Sequence, residues 1–215
     1  KVAEHLNTVI INADSRQVFK EIPVGTAAPT KDERKSIRHF FVGNLHINEY
    51  YNASKYEQDV LKLLNILFKY KDSVIMSGGS MMYVDAVCKG IDDIPSVDDN
   101  IRKTLQERFD KEGLSGISKE LALLDPDYYA IVDKNNHKRI IHALEICLST
   151  GKPYSSFRKN TTKERPFRII KIGLNMDRQR LYERIDLRVE QMIHDGLIQE
   201  ALNVYEYKNL NEFFD

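Results

Sequence analysis

The feature that most constrains the fold is an apolar segment that runs directly into a carboxylate. Residues 8–11 are Thr-Val-Ile-Ile, and Asn12, Ala13 and Asp14 follow them. A β-branched run bounded by Asn and Asp predicts a buried strand of an α/β sheet. Because ligands of open α/β sheets bind beyond the carboxyl ends of the strands, Asp14 and Ser15 are candidates for chemistry. The alternative is that Asp14 only caps the following turn.

A second strand is predicted at residues 73–77, and a Gly-Gly-Ser turn and a helix follow it. Two glycines allow the backbone to approach a ligand closely, and a helix N-terminus favours phosphate. Gly78 and Gly79 are therefore candidates for binding a diphosphate, and Ser80 adds a hydroxyl at the same sheet edge as Asp14, although tight packing alone also explains such a turn. Strands that alternate with helices predict a parallel sheet.

The middle of the chain carries helical patterns only. Between residues 94 and 164 the apolar spacing predicts several helices, the first of which stops at Gly113 and the last at Gly151. An all-helical block inside an α/β chain predicts an inserted domain.

The pattern of the sheet returns after this block. Residues 167–174 are Phe-Arg-Ile-Ile-Lys-Ile-Gly-Leu, which predicts a further strand, and Asp177 is placed to cap a long helix. We therefore predict an α/β core formed by residues 1–93 and 165–215, with a helical domain inserted at 94–164.

Two arginines, Arg184 and Arg188, are spaced four residues apart on that last predicted helix. Residues at this spacing share one face of a helix. Neighbouring guanidinium groups suit a diphosphate because each can bind phosphate oxygens through two parallel hydrogen bonds. The alternative is a solvated helix face with acidic partners at Glu183, Asp186 and Glu190.

The charge distribution points to a local basic surface. The formal net charge is zero, so a nucleic acid would have to bind a patch rather than the protein as a whole. Between residues 134 and 168 there are nine lysines and arginines and only two glutamates. This bias predicts a surface for a nucleic-acid backbone, and an ordinary solvated surface is the alternative.

The two cysteines, Cys88 and Cys147, lie in apolar helical patterns and form no Cys/His cluster. We expect reduced thiols in the core of a cytoplasmic protein, and no zinc site. No apolar run approaches the length that spans a membrane, and we expect no signal peptide.

These features together resemble one family, the tRNA dimethylallyltransferases, also called tRNA isopentenyltransferases. Residues 14–19 with 25–29 resemble its Asp-Ser…Gly-Thr-Ala-x-Pro block, and residues 78–83 resemble its Gly-Gly-Thr/Ser-x-x-Tyr block. Residues 138–152 resemble the signature of its inserted domain. The resemblance covers the whole chain and implies a P-loop NTPase-like α/β core, with a parallel sheet flanked by helices and a helical insertion that clasps the anticodon arm of tRNA.

The resemblance also implies a reaction and residue roles. A dimethylallyl group moves from dimethylallyl diphosphate to N6 of the adenosine 3′ to the anticodon. By position, Asp14 matches the general base, Ser80 a hydroxyl beside the target base, and Arg188 the diphosphate-binding arginine. The positions that match tRNA contacts are Asp14, Ser15, Arg16, Gln17, Ser80, Arg102, Lys138, Arg139, Ile140, Ile141 and His142.

Two alternatives remain from the residues alone. A small-molecule kinase on the same scaffold is suggested by the glycines at the sheet edge, and a non-catalytic RNA-binding module is suggested by the basic stretch. The kinase would consume ATP without RNA, and the binding module would be indifferent to changes at Asp14 and Arg188.

The sequence departs from the family's pattern in two places. The family has a Gly-rich phosphate loop with Lys-Thr before the first block, and a Gly-Tyr segment near Asn211, and neither is found here. We interpret the two missing motifs as pieces of a longer protein that this sequence does not include, and we expect that protein to be of the bacterial type. The family implies Mg²⁺, but the usual hydroxyl ligand belongs to the phosphate loop, so this chain offers no complete metal site. We expect a monomer that binds the tRNA anticodon stem-loop and dimethylallyl diphosphate, and no membrane.

Overall fold

The computed structural model describes residues 1–212, with the exception of Asp93, Ser96, Asp98 and Asn160. The chain divides into two compact units. The first, Lys1–Gly90 with Lys163–Asp215, is called the core unit below, and the second, Ile91–Thr162, is called the helical unit.

A parallel three-stranded sheet organises the core unit. Its strands are β1 (Ile10–Asn12), β2 (His39–Phe40) and β3 (Ile75–Ser77), in the order β2-β1-β3. Both pairings are parallel, so β1 is central, and its Ile11 side chain is almost fully buried. Burial on both faces explains the β-branched run that predicted this strand. The predicted α/β class with a parallel sheet is confirmed.

Helices and short 3-10 turns make up the rest of the regular structure. In chain order the helices are α1 (Val2–His5), α2 (Lys31–Ser36), α3 (Ala53–Leu67), α4 (Met81–Lys89), α5 (Asp99–Leu124), α6 (Pro126–Ile131), α7 (His137–Thr150), α8 (Arg178–His194) and α9 (Leu197–Asn203). The 3-10 turns are at Tyr154–Ser156 and Tyr205–Glu212.

Helices α3 and α4 pack on the carboxyl end of the sheet through aromatic side chains. Tyr56 of α3 stacks on Tyr83 of α4 with 4.1 Å between the ring centroids. The Tyr56 hydroxyl donates a 2.8 Å hydrogen bond to the carbonyl of Asn12, the last residue of β1. This contact satisfies a buried polar group and fixes both helices relative to the end of the central strand.

Helix starts follow local capping signals. The Asn52 side chain accepts a hydrogen bond from the amide of Lys55 at the start of α3. Asp177 accepts hydrogen bonds from the amides of Gln179 and Arg180 at the start of α8, so its predicted capping role is confirmed. Each cap satisfies amides that have no partner inside the helix.

The predicted strand at residues 167–174 is wrong. These residues adopt no regular strand, and among the described residues no strand pairs with them. Ile170, Ile172 and Leu174 are 70%, 80% and 97% exposed. An apolar β-branched run predicts an extended chain, but a strand also needs a neighbouring backbone to form a ladder with it.

The helical unit has a hydrophobic core of its own, in which α5 packs on α7. Gly113 interrupts α5 with a φ of 69°, and Gly151 ends α7 in the left-handed conformation with a φ of 66°. Both predicted stops are therefore confirmed. The side chains with at most 1% exposure in this core are Leu105, Ile117, Leu121, Ile140, Ala143, Leu144 and Ile146.

The predicted core position of the two cysteine thiols is confirmed. Cys88 and Cys147 are buried and are not linked by a disulfide. Burial raises the pKa of both thiols, which makes them poor nucleophiles. None of the described helices combines the length and the apolar character that a membrane crossing requires.

Candidate functional site

The carboxylate of Asp14 is held by the turn that follows β1. Its Oδ1 accepts hydrogen bonds from the amides of Arg16 at 2.8 Å and Gln17 at 3.2 Å. The alternative predicted from sequence, a capped turn, is thus present. The turn engages one oxygen, however, and among the described residues no hydrogen bond reaches Oδ2. The half-buried carboxylate is therefore oriented and still has an oxygen that can accept a proton.

Ser80 joins the end of β3 to the end of β1. Its Oγ accepts a 2.8 Å hydrogen bond from the Ser15 amide and donates a 3.1 Å bond to the Ser15 hydroxyl. Its own amide donates to the carbonyl of Ala13 at 3.1 Å. Because Ala13 and Ser15 flank Asp14, the Ser80 hydroxyl lies beside the turn that carries the carboxylate.

The two glycines before Ser80 have different structural roles. A Cβ on Gly78 would lie 2.2 Å from the carbonyl carbon of Ala13, so this position requires glycine for backbone packing alone. A Cβ on Gly79 would meet no atom within 4 Å. Packing therefore accounts for Gly78, whereas Gly79 lies in open space at the N-terminus of α4, where a phosphate group could approach.

A loop at residues 22–29 contacts both the turn that follows β1 and helix α8. The Thr26 carbonyl accepts a 2.9 Å hydrogen bond from Gln17 Nε2 and a long 3.5 Å contact from Arg188 Nη2. Gln17 also donates its amide to Asp14. The structure thus brings Asp14, Ser80 and Arg188 into one continuous set of contacts within the core unit.

Arg184 lies one helical turn before Arg188 on α8. Both side chains are exposed, and for Arg184 no hydrogen bond or ion pair is found among the described residues. Two guanidinium groups on one exposed helix face form a positive surface next to the loop at 22–29. Such a surface can bind an anion through several hydrogen bonds at once.

Tyr83 borders the same region, although the sequence analysis assigned it no role. Burial raises the pKa of its phenol to about 12, Arg16 opposes this shift, and Asp14 adds to it. The phenol therefore stays neutral at ordinary pH, and its hydroxyl lies within electrostatic range of the turn at Asp14. The tyrosine that ends the block at residues 78–83 was the available signal.

The helical unit carries the other candidates. A single carboxylate, Glu145, binds Arg102 Nε at 3.1 Å and lies 3.6 Å from His142 Nδ1, with its side chain only 5% exposed. Lys138 and Arg139 are exposed on the first turn of α7. Of the four basic residues predicted to contact RNA, Arg102, Lys138, Arg139 and His142, the first and the last are held by one buried acid.

Two of the residues predicted to contact tRNA, Ile140 and Ile141, have buried side chains. Ile140 is fully buried and Ile141 is 8% exposed, and both belong to the hydrophobic core. Their side chains face the interior because α7 turns its apolar face toward α5. A tRNA contact through these side chains is therefore excluded by the packing, whereas Lys138, Arg139 and His142 remain accessible.

The described part of the chain offers no cluster of protein ligands for the implied magnesium ion. Among these residues, no group of three or more His, Cys, Asp or Glu side chains could hold a metal ion. Mg²⁺ needs several oxygen ligands in octahedral geometry, and one oxygen of Asp14 is already committed to backbone amides. No step proposed below therefore uses the ion.

Comparison with known proteins gives a consistent result. A family model described as IPP transferase matches residues 17–213. The chain is 56% identical over 210 residues to tRNA dimethylallyltransferase 1 of Phocaeicola vulgatus, covering 98% of this chain and 70% of that protein.

Two solved structures are similar as well. A tRNA isopentenylpyrophosphate transferase from Bacillus halodurans matches with a TM-score of 0.59 and 30% identity, over 96% of this chain and 64% of that chain. A eukaryotic dimethylallyltransferase acting on tRNA matches with a TM-score of 0.69 and 25% identity, over 99% of this chain and 53% of that chain. The chain therefore spans between about half and two thirds of these two proteins.

Proposed function

Because this chain belongs to the IPP transferase family, we propose that it transfers a dimethylallyl group from dimethylallyl diphosphate to tRNA. The acceptor is N6 of the adenosine 3′ to the anticodon. The single observation that carries the assignment is the geometry of Asp14. One carboxylate oxygen is fixed by two amides, and the contacts of that turn lead to Ser80 on one side and to Arg188 on the other.

Asp14 is the general base of this proposal. The exocyclic amine of adenosine is a poor nucleophile, and it must lose a proton as its nitrogen bonds to the allylic carbon of the donor. Oδ2 of Asp14 accepts that proton while Oδ1 keeps the carboxylate in place. A positioned base of this kind contributes about 10²–10⁴-fold to the rate.

The leaving diphosphate is bound by Arg188 and Arg184. Negative charge develops on the diphosphate as the bond from its oxygen to the allylic carbon breaks, and cations placed beforehand stabilise that charge. Gly79 and the N-terminus of α4 supply backbone donors on the other side of Asp14. The hydroxyl of Ser80, which is hydrogen-bonded to Ser15 beside Asp14, orients the target base.

The helical unit binds the anticodon stem-loop through Arg102, Lys138, Arg139 and His142. An adenosine that reacts at N6 must leave its stack, which costs a few kcal/mol, and contacts elsewhere on the RNA have to offset this cost. The buried carboxylate of Glu145 holds Arg102 and His142 in place for these contacts.

The cytoplasmic location and the monomeric state remain predictions.

The decisive experiment replaces Asp14 by Asn in the full-length protein. Asn keeps an oxygen for the Arg16 and Gln17 amides, so the turn is preserved while the base is lost. We expect kcat for dimethylallyl transfer to an anticodon stem-loop to fall by about 10²–10⁴-fold, with little change in KM for either substrate. Asp32→Asn, at an exposed position of α2, is the matched control and should retain activity.

Unchanged transfer by the Asp14→Asn variant would remove Asp14 from the role of base. A wild-type protein that consumes ATP without RNA would favour the kinase alternative instead. Salt-sensitive RNA binding without any transfer would favour the binding module.

A further inference from the structure

Glu200 of α9 makes the shortest polar contacts to the loop at 22–29. Its Oε2 accepts a hydrogen bond from the amide of Val24, and its Oε1 accepts one from the amide of Gly25, both at 2.7 Å. Two successive amides that point at one anion form a strong backbone site, and hydrogen bonds to an ionised acceptor are stronger than neutral ones. The Glu200 carboxylate thus binds a loop that lies 175 residues away in the sequence.

Gly25 is shaped for this contact. A Cβ at this position would lie 3.1 Å from Glu200 Oε1 and 3.1 Å from Leu197 Cδ1. An added Cβ would therefore crowd the Glu200 carboxylate and the Leu197 side chain, and each would have to shift by a few tenths of an ångström. The absence of a side chain at Gly25 allows the carboxylate to reach both amides at once.

The amides that Glu200 binds are next to the Thr26 carbonyl in the chain, and both Arg188 and Gln17 contact that carbonyl. Arg188 precedes α9 on α8, so Glu200 and Arg188 approach the same loop from two consecutive helices. Glu200 holds residues 24 and 25, and Arg188 contacts residue 26. The position of the loop therefore sets the distance between the Arg188 guanidinium and the turn at Asp14.

We propose that Glu200 is a positioning residue, which binds the Val24 and Gly25 amides and so places Arg188 to receive the diphosphate of the prenyl donor. It does not touch the substrate. The role rests on the proposed function, because that function assigns the diphosphate to Arg188. It predicts that a change at Glu200 weakens diphosphate binding and leaves the RNA contacts of the helical unit unaffected.

The test compares three variants of the full-length protein. Glu200→Gln keeps the size of the side chain, but it has one oxygen acceptor and turns an NH₂ group toward the second amide. Gly25→Ala leaves the carboxylate intact and crowds its contact with the loop. Gln199→Ala is the control, because Gln199 is the neighbouring residue of α9 and its side chain bonds to Asn203 rather than to the loop.

Two measurements are made on each variant. Hydrogen exchange of the Val24 and Gly25 amides reports the contact itself, with the Ile11 amide in β1 as an internal reference for global stability. Calorimetric titration with inorganic diphosphate reports the positioning. We expect Glu200→Gln and Gly25→Ala each to speed local exchange and to weaken diphosphate binding by about 10-fold, the loss typical of a hydrogen bond to a charged group. Affinity for an anticodon stem-loop and the exchange of Ile11 should not change.

Either of two results would overturn the proposal. Unchanged exchange at residues 24 and 25 would show that the carboxylate does not hold the loop. Faster exchange with unchanged diphosphate affinity would show that the contact is only structural. If the wild-type protein transferred no dimethylallyl group but its diphosphate affinity still responded to Glu200, the proposed reaction would fail and the positioning role would stand.

Discussion

Replacement of Arg165 by Met should destabilise the core unit more than any change on its surface. The Arg165 side chain is 8% exposed and is ion-paired with Glu57 of α3, whose side chain is 7% exposed. Its guanidinium also donates 2.8 Å hydrogen bonds to the carbonyls of Ala86 and Val87. These carbonyls belong to the last turn of α4, where partners within the helix run out, and the Ala86 carbonyl also accepts a 3.0 Å hydrogen bond from the amide of Gly90.

The expected magnitude follows from what the substitution leaves behind. Met has a similar length and fills much of the same space, so the cavity is small. The Glu57 carboxylate, however, stays buried and loses the Arg165 guanidinium, and breaking a buried ion pair in this way costs about 3–5 kcal/mol. A stable domain has only about 5–15 kcal/mol in total, so a large part of its stability is at risk.

The assay is urea unfolding of the full-length protein, read as a shift of the midpoint at constant m-value. Lys171→Met is the matched control, because Lys171 pairs with Asp85 of the same helix at 3.3 Å while both side chains are about half exposed. We expect it to cost about 0–1 kcal/mol. The double variant Glu57→Leu/Arg165→Met should regain most of the loss, since it removes both charges. An Arg165→Met protein as stable as Lys171→Met would refute the reasoning.

Two further predictions concern the RNA surface and the response to pH. Lys138→Ala or Arg139→Ala should reduce the salt dependence of stem-loop affinity by about one unit of slope per charge and leave diphosphate affinity unchanged, and an unaltered slope in binding titrations would contradict this. Burial raises the pKa of Glu21, but hydrogen bonds from His46 and the Ile47 amide outweigh it and lower the pKa below its ordinary value. The ionised Glu21 carboxylate therefore stabilises the folded protein above its ordinary pKa, and this contribution is lost as the pH falls through the lowered pKa. Glu21→Gln should consequently reduce the thermal midpoint near pH 7 but not near pH 3.

Elements defined by neighbouring residues were predictable from the sequence. The cap at Asp177 and the helix ends at Gly113 and Gly151 depend on signals within a few positions, and the structure confirms them. The strand before Asp14 was predictable because a central strand of a parallel sheet is buried on both faces and needs a continuous apolar run.

Residues 167–174 show where the same reasoning fails. Their pattern is as β-branched and apolar as that of β1, but no described strand pairs with them. The side chains of Ile140 and Ile141, which were assigned to the RNA surface, are buried for a related reason. A family block was carried over as a continuous stretch, whereas a helix presents alternate faces, and these two residues belong to the buried one.

Contacts between distant parts of the chain left no local signal at all. Glu57 and Arg165 are 108 residues apart, and Glu200 is 175 residues from Gly25. Each acid looked in sequence like an ordinary member of a solvated helix face. Only folding shows that one is neutralised inside the core and that the other binds a loop.

The loop at 22–29 connects the two halves of the proposed chemistry. On one side Gln17 binds the Thr26 carbonyl and is itself bound through its amide to Asp14. On the other side Arg188 contacts the same carbonyl, and Glu200 holds the two preceding amides. Because one peptide segment is held from both directions, a displacement of α8 or α9 reaches the carboxylate without any direct contact to it. In the proposed reaction the separation of Asp14 and Arg188 therefore depends on this loop, which gives the Gly-Thr-Ala-Ala-Pro segment a role although it has no ionisable side chain.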